Sequence, residues 1–454
     1  MLPSPAHSAC SRAATLVLLV FLVQFCCCLS KTHPDTGSWQ RSTRVEQFGL
    51  EQARQLASHS RQLLQNADKP ALTQFGGILM EDMVPDGYPI EKHRVNTEDG
   101  WVLNMYRIPY GKYRNNKPGP RPVVLLHHGI TLSSACWTLL NANESTAYIL
   151  ADAGFDVWMA NTRGNTFSRG NYNYSYRDME YWYHSIDEYA LIDLPAQVNT
   201  ALAKTGASKL AIVGHSQGCT LAYAMLAAMA EMNAKVSVVV HLGPVVFLDY
   251  LRAPLLKAYA EVRNDMFFYN SWVGEFLWYR FLAPYVDTCR EYIWSELCMS
   301  TLNLMFYGPS TFISPDDNPI IFQTWPASVS GRNMAHWAQM LTDGQLRFQR
   351  FDHGTNCSQR NRPYDETCNQ WKYGSMQPPA YDLGKITAPQ YLFGAELDVM
   401  ATPEDAAEQQ RRLSPSAFAG ETVFPRYSHM DFVWDRNARH AVDLVDLLFR
   451  YAPA

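Results

Sequence analysis

Short apolar runs alternate with stretches of helical period along most of this chain. Pro122–His127 (PVVLLH), Phe155–Ala160 (FDVWMA), Leu210–Val213 and Val236–Leu242 (VSVVVHL) are almost continuously apolar and rich in β-branched residues. That pattern predicts strands covered on both faces. Thr146–Ala153, Asp187–Lys204 and Thr220–Met232 fall between them and read as helices. His93–Val95 and Trp101–Arg107, on either side of Glu98-Asp99-Gly100, predict a hairpin. The alternation stops at Gly243-Pro244 and resumes with strands at Gln390–Gly394 and Glu421–Arg426 and an amphipathic helix at Arg439–Tyr451. Between them, residues 245–385 are rich in aromatics, Pro and Leu and show no alternating strands. This organisation predicts an α/β class with a mostly parallel central sheet, formed by 76–244 and 386–454, and a large cap or lid inserted at 245–385. Such an insertion lies over the carboxyl edge of the sheet, where ligands bind in these folds.

The first 75 residues follow a different pattern. Arg12 precedes an apolar run from Ala13 to Phe25, too short for a bilayer span and suited to a signal-peptide core, with small residues near position 30 to allow cleavage. An uncleaved signal anchor is the alternative, with Cys26, Cys27 and Cys28 as lipid carriers. Residues 31–75 are polar and read as a propeptide or tether. Asn143, Asn173 and Asn356 each begin an Asn-x-Ser triplet, candidates for glycosylation in a secreted or lysosomal protein. Beyond the leader, Cys289/Cys298 and Cys357/Cys368 are short-range pairs that an oxidising compartment can close, whereas Cys219 reads as a buried thiol. The net charge of −5 supplies no basic field for nucleic acid, and no metal-type cysteine spacing or cofactor motif is present.

The chemistry concentrates at Gly214-His-Ser216-Gln-Gly218, a G-x-S-x-G between a predicted strand and a predicted helix. In that setting the motif is a nucleophile elbow, which exposes a serine at the end of a sheet. A serine needs a base oriented by a carboxylate, and in the α/β-hydrolase order the acid and then the histidine follow it, each in a loop after a strand. His241 lies inside an apolar strand, His336 and His353 lie in the insertion, and His440 lies in the last helix. His429 is in a loop after a late strand. Asp398, just past the strand at 390–394, is the candidate acid, with Glu396 its nearest competitor and Asp431 read as a helix cap. The oxyanion would be held by the backbone N–H groups of Gln217 and of Ile130, the latter in the turn His128-Gly129-Ile130.

Gly87-Tyr-Pro-Ile-Glu91-x-His93, Asn161-Thr-Arg-Gly-Asn165, Asn333-Met-Ala-His-Trp337 and Tyr427-Ser-His-Met-Asp-Phe-Val-Trp434 resemble motifs of the acid lipases, the α/β-hydrolase family that includes gastric and lysosomal acid lipases. The likeness spans roughly residues 80–450. It implies Ser216, Asp398 and His429 as triad, long-chain lipid esters such as triacylglycerols or cholesteryl esters as substrate, transient contact with a lipid droplet or membrane surface, and no cofactor. It also implies a movable lid and a cap disulfide that Cys289–Cys298 matches. Two departures stand out: Cys219 where the family usually has Thr, and a longer N-terminal tether. The aromatic stretch Met266–Phe281 suits a greasy substrate if exposed, or a cap core if buried. The alternatives are a non-catalytic lipid carrier on the same scaffold and a short-chain esterase or thioesterase.

Overall fold

The computed structural model describes residues 84, 87–114, 116–254, 256–257, 274–276, 286–341, 347–357 and 368–452. All belong to the second of the two units into which the chain divides, Met1–Gly77 and Ile78–Ala454. The leader and the tether therefore lie outside the described residues, as does the Met266–Phe281 stretch except for residues 274–276. No helix of the described residues is long and apolar enough to cross a membrane.

The central sheet is built from β1 (Glu91–Asn96), β2 (Trp101–Ile108), β3 (Val123–His127), β4 (Asp156–Met159), the two-residue β5 (Gly170–Asn171), β6 (Leu210–His215) and β7 (Val236–Leu242). After the two short insertion strands β8 (Glu275–Phe276) and β9 (Val329–Ser330), it closes with β10 (Gln390–Ala395) and β11 (Phe418–Phe424). Its order is β1-β2-β4-β3-β6-β7-β10-β11, with β5 paired to β2. Pairing is antiparallel from β1 to β4 and parallel from β4 to β11. β8 and β9 form a separate antiparallel ribbon.

The continuous apolar runs have a simple cause. Alternate residues of each central strand enter opposite cores: Val123, Leu125, Leu210 and Ile212 pack on one face, and Val124, Leu126, Ala211 and Val213 on the other. Each buried Leu, Ile or Val contributes roughly 1.5–3 kcal/mol, so a polar residue on either face of these strands would be costly. Helices cover both faces. The described ones that matter here are α1 (Thr146–Ala153), α2 (Leu194–Thr205), α3 (Gln217–Ala228), α4 (Tyr292–Leu302), α5 (Gly331–Leu341), α6 (Pro403–Arg412) and α7 (Arg439–Arg450).

Some boundaries differ from expectation. The helix read over 220–232 begins earlier, at Gln217, and breaks at Met229, whose extended backbone separates α3 from a short turn at Ala230–Asn233. The segment before α2 is not one regular helix: a short turn at Ile186–Glu188, opened by a capping box of Ser185 and Glu188, runs into a π-helical turn at Tyr189–Asp193. β7 and β10 are neighbours in the sheet although residues 243–389 separate them in the chain. That long excursion holds α4, α5, β8 and β9, and its helices carry no signal of strand alternation.

Candidate active site

The elbow is dictated by sterics. Ser216 ends β6 and precedes α3 with φ +53° and ψ −119°, a conformation non-glycine residues avoid. The turn closes because both flanking residues lack a side chain. A Cβ on Gly214 would lie 2.7 Å from the Cys219 nitrogen, and one on Gly218 would lie 2.4 Å from the His127 carbonyl oxygen. The N-terminus of α3, a twelve-residue helix, starts at Gln217, so its unpaired N–H groups and dipole favour negative charge beside Ser216. Cys219 is a free, buried thiol that donates to the Gly214 carbonyl at 3.1 Å, and burial pushes its pKa up. It is an inert packing group, as the sequence suggested.

Asp398 and His429 stand in loops that follow adjacent strands, β10 and β11. Asp398 fixes itself: its Oδ1 accepts the backbone N–H groups of Met400 at 2.8 Å and Ala401 at 2.9 Å. Its Oδ2 accepts from His429 Nδ1 at 2.7 Å, and both side chains are buried. The histidine is thereby held with its proton on Nδ1 and a lone pair on Nε2, which makes no hydrogen bond among the described residues. Glu396, the competing acid, is exposed and accepts from the Arg426 backbone instead. Asp431 does not cap the following helix. It accepts from the Ser428 N–H at 2.6 Å and from the Ser310 hydroxyl, bracing the His429 turn, and burial pushes its carboxyl up to about 6.

The histidine loop is joined to its surroundings on three sides. The Leu397 N–H donates to the Tyr427 carbonyl at 2.7 Å, which ties the acid loop to the base loop. His215, the residue before Ser216, approaches the His429 carbonyl with Nε2 at 3.0 Å, and the two imidazoles lie 5.0 Å apart. Burial holds His215 neutral, so Nε2 is the donor in that contact. From the insertion, the Tyr307 carbonyl accepts the His429 N–H at 3.2 Å and its ring stacks 6.1 Å from the imidazole.

The turn His128-Gly129-Ile130 lies against the elbow: a Cβ on Gly129 would come within 2.9 Å of Ser216 Cβ. His127 and His128 are fully buried, which lowers their pKa values to about 4 and about 3. Both are neutral structural groups. His128 Nδ1 faces the Gly129 carbonyl at 2.8 Å and holds this turn. The other histidines that follow Ser216 have partners of their own. His241 faces Gln390 at 2.8 Å and stacks on Tyr223, His336 faces the Gln349 carbonyl, His353 lies beside Arg332, and His440 packs near Thr146.

Sequence reasoning did not anticipate the contacts from the insertion to the elbow. Gln217 is buried, and its side-chain oxygen accepts from Asn333 Nδ2 at 2.8 Å and from Trp337 Nε1 at 2.7 Å. The signal was present: residues i and i+4 of one helix share a face, and both belong to the Asn333–Trp337 motif. The Asn161–Asn165 motif has a similar fate. Asn161 ties Ser134 and Asn104 together, and Arg163 is buried between Asp193 and Asp99. These residues support the loops beneath the site rather than enter it.

Both short cysteine pairs are closed as disulfides, Cys289–Cys298 and Cys357–Cys368. Asn143, Asn173 and Asn356 are all exposed.

Residues 79–141 match the family described as the partial alpha/beta-hydrolase lipase region, and residues 122–288 match the alpha/beta hydrolase fold. Among curated proteins, the chain is 35% identical to lipase member K of Mus musculus, over 80% of this chain and 88% of the relative. It is 35% identical to gastric triacylglycerol lipase of Rattus norvegicus, over 78% and 87%. It is 31% identical to lysosomal acid lipase/cholesteryl ester hydrolase of Homo sapiens, over 80% and 89%. The elbow, the sheet order and likeness at this level over most of both chains lead to one assignment: the protein is a carboxylic-ester hydrolase of the α/β-hydrolase fold and belongs to the acid lipase family.

Proposed function

We propose that the chain hydrolyses lipid esters, triacylglycerols or cholesteryl esters, with Ser216 as nucleophile, His429 as base and Asp398 as its orienting acid. The observation that carries this reading is the buried 2.7 Å contact between His429 Nδ1 and Asp398 Oδ2, which leaves Nε2 as the acceptor. His429 Nε2 takes the Ser216 hydroxyl proton as Oγ attacks the ester carbonyl carbon. The carbonyl oxygen becomes an oxyanion, which receives the N–H groups of Gln217 and Ile130 and the field of the α3 N-terminus. Collapse breaks the bond to the alcohol oxygen, which leaves with the proton from His429. Water then repeats the sequence on the acyl-serine: His429 removes its proton, the fatty acid departs, and Ser216 regains its hydrogen.

The substrate class follows from the relatives, whose names specify triacylglycerol and cholesteryl ester. Two disulfides and three exposed sequon asparagines support passage through the secretory pathway, with a leader removed near residue 30, and a secreted or lysosomal destination. The deciding experiment compares hydrolysis of emulsified triolein, cholesteryl oleate and a soluble butyrate ester from pH 4 to 8, alongside fluorophosphonate labelling. Wild type is expected to be labelled and to prefer the emulsified substrates, and Ser216→Ala to be unlabelled. Absence of labelling of wild type would leave a lipid carrier, and preference for the soluble ester would make it an esterase.

A further inference from the structure

The two candidate oxyanion donors sit on separate turns, and the insertion holds both. On the Gln217 side, the indole Nε1 of Trp337 is a donor only, so the Gln217 amide must present its oxygen to it. The same oxygen takes the Asn333 amide. Asn333 is fully buried, and its own backbone is pinned by the Ser330 hydroxyl at 3.0 Å. On the Ile130 side, the next residue, Thr131, has φ +58°. Its carbonyl accepts the Ala327 N–H at 2.6 Å, and its hydroxyl accepts the Trp325 indole N–H at 3.2 Å. Ser216 and Thr131 thus both adopt backbone that persists only where the surroundings over-determine it. Neither is glycine, and a β-branched residue such as Thr131 is especially strained there. Relaxation of either turn would rotate the peptide that carries, or adjoins, an oxyanion N–H.

We infer that Trp325, Asn333 and Trp337 are positioning residues that aim the Gln217 and Ile130 N–H groups at the oxyanion. The insertion then takes part in transition-state stabilisation as well as covering the site. This rests on the reading of Ser216 as the nucleophile. Negative charge on the ester oxygen develops only on the way to the transition state, so a misaimed donor lowers kcat and leaves KM almost unchanged. Removing a donor outright lowers turnover by about 10²–10³. A displaced donor retains part of its effect, so a loss of roughly tenfold is expected from each brace.

The test uses the full chain with Asn333→Ala, with Trp325→Phe and Trp337→Phe, which keep an aromatic ring but lose the donor, and with Gln217→Met, which loses the acceptor. The control is Gln339→Ala on the same helix, which sacrifices two hydrogen bonds to Asp352 on a face away from the elbow. Hydrolysis of the soluble butyrate ester, the rate of fluorophosphonate inactivation and Tm are measured for each. The expected result is a roughly tenfold or larger fall in kcat and in inactivation rate for Trp325→Phe, Trp337→Phe and Asn333→Ala, with KM within about twofold. Gln339→Ala lowers Tm and leaves both rates unchanged. The double variant Gln217→Met/Asn333→Ala is expected to be no slower than Gln217→Met alone, since Gln217→Met already removes the bond from Asn333. Unchanged rates in the brace variants, or a loss that appears in KM and is reproduced by Gln339→Ala, overturn the inference while labelling of wild type leaves the hydrolase reading standing. Failure of wild type to label overturns that reading and this one with it.

Discussion

The carboxyl edge of the sheet and the insertion above it are organised on opposite principles. At the edge, position follows from local chemistry. Ser216 stands where it does because Gly214 and Gly218 let a strand turn into a helix within a few residues, and Asp398 is fixed by N–H groups two and three positions on. In the insertion, the residues that matter act across long stretches of chain. Trp337 reaches Gln217, Trp325 reaches Thr131 and Tyr307 reaches His429, each more than a hundred positions away. The edge holds the proposed reacting groups, and the insertion contacts the edge.

That contrast can be broken most directly at the proposed triad. Ser216→Ala or His429→Ala is expected to lower kcat on triolein by about 10⁴–10⁶, and Asp398→Asn by about 10⁴, with the fold intact by circular dichroism. A loss of only tenfold at any of them would place the chemistry elsewhere. The steric half of the comparison is tested at Gly218→Ala. The added methyl meets a backbone oxygen rather than a flexible side chain, so a loss of roughly 3 kcal/mol in urea unfolding is expected; an unchanged midpoint would mean that the elbow yields easily.

The insertion should respond differently. Opening Cys289–Cys298 by replacing both residues with Ala removes a short cross-link near α4 and is expected to lower stability by about 2–3 kcal/mol. The butyrate kcat at 25 °C should stay near wild type, because neither sulfur touches the elbow. A kcat that falls in step with stability would join the two regions into one cooperative unit.

The last effect is read in pH. His440 is fully buried, which lowers its pKa to about 4 against 6.5 in an open chain, although Asp435 opposes the shift. Its contribution to stability is therefore complete above pH 6.5 and is lost as the pH falls toward 4, at up to about 1.4 kcal/mol per unit. His440→Asn should flatten the stability curve over that window by this slope. A parallel curve would mean that His440 is not neutral in the folded protein.

How much of this the chain discloses in advance depends on the range of the interaction. Strand runs such as Val236–Leu242 are legible because two-faced burial demands apolar residues at every position. The elbow and the loops at Asp398 and His429 are legible because strand, turn and residue type coincide within a few positions. The π-helical turn at Tyr189–Asp193 is hidden, since one wider turn between helical segments leaves no mark in residue type. The braces were half legible: spacing put Asn333 and Trp337 on one helix face, but nothing local named Gln217 as the group that they meet.

The adjacency of β7 and β10 across residues 243–389 has an evolutionary corollary. Once a connection is long, doubling its length raises the entropic cost of closure by only about 0.6 kcal/mol. Length alone therefore costs the sheet little, and residues can be added or removed at exposed points of that connection almost without thermodynamic penalty. The freedom does not reach residues packed in the cores on the two faces of the sheet, such as Phe247, Phe312, Phe322 and Ile386, or Tyr307, Trp325, Asn333 and Trp337, which contact the edge directly. Variation in the connection can thus alter what lies over the edge, while the contacts that hold the edge travel with the variable part.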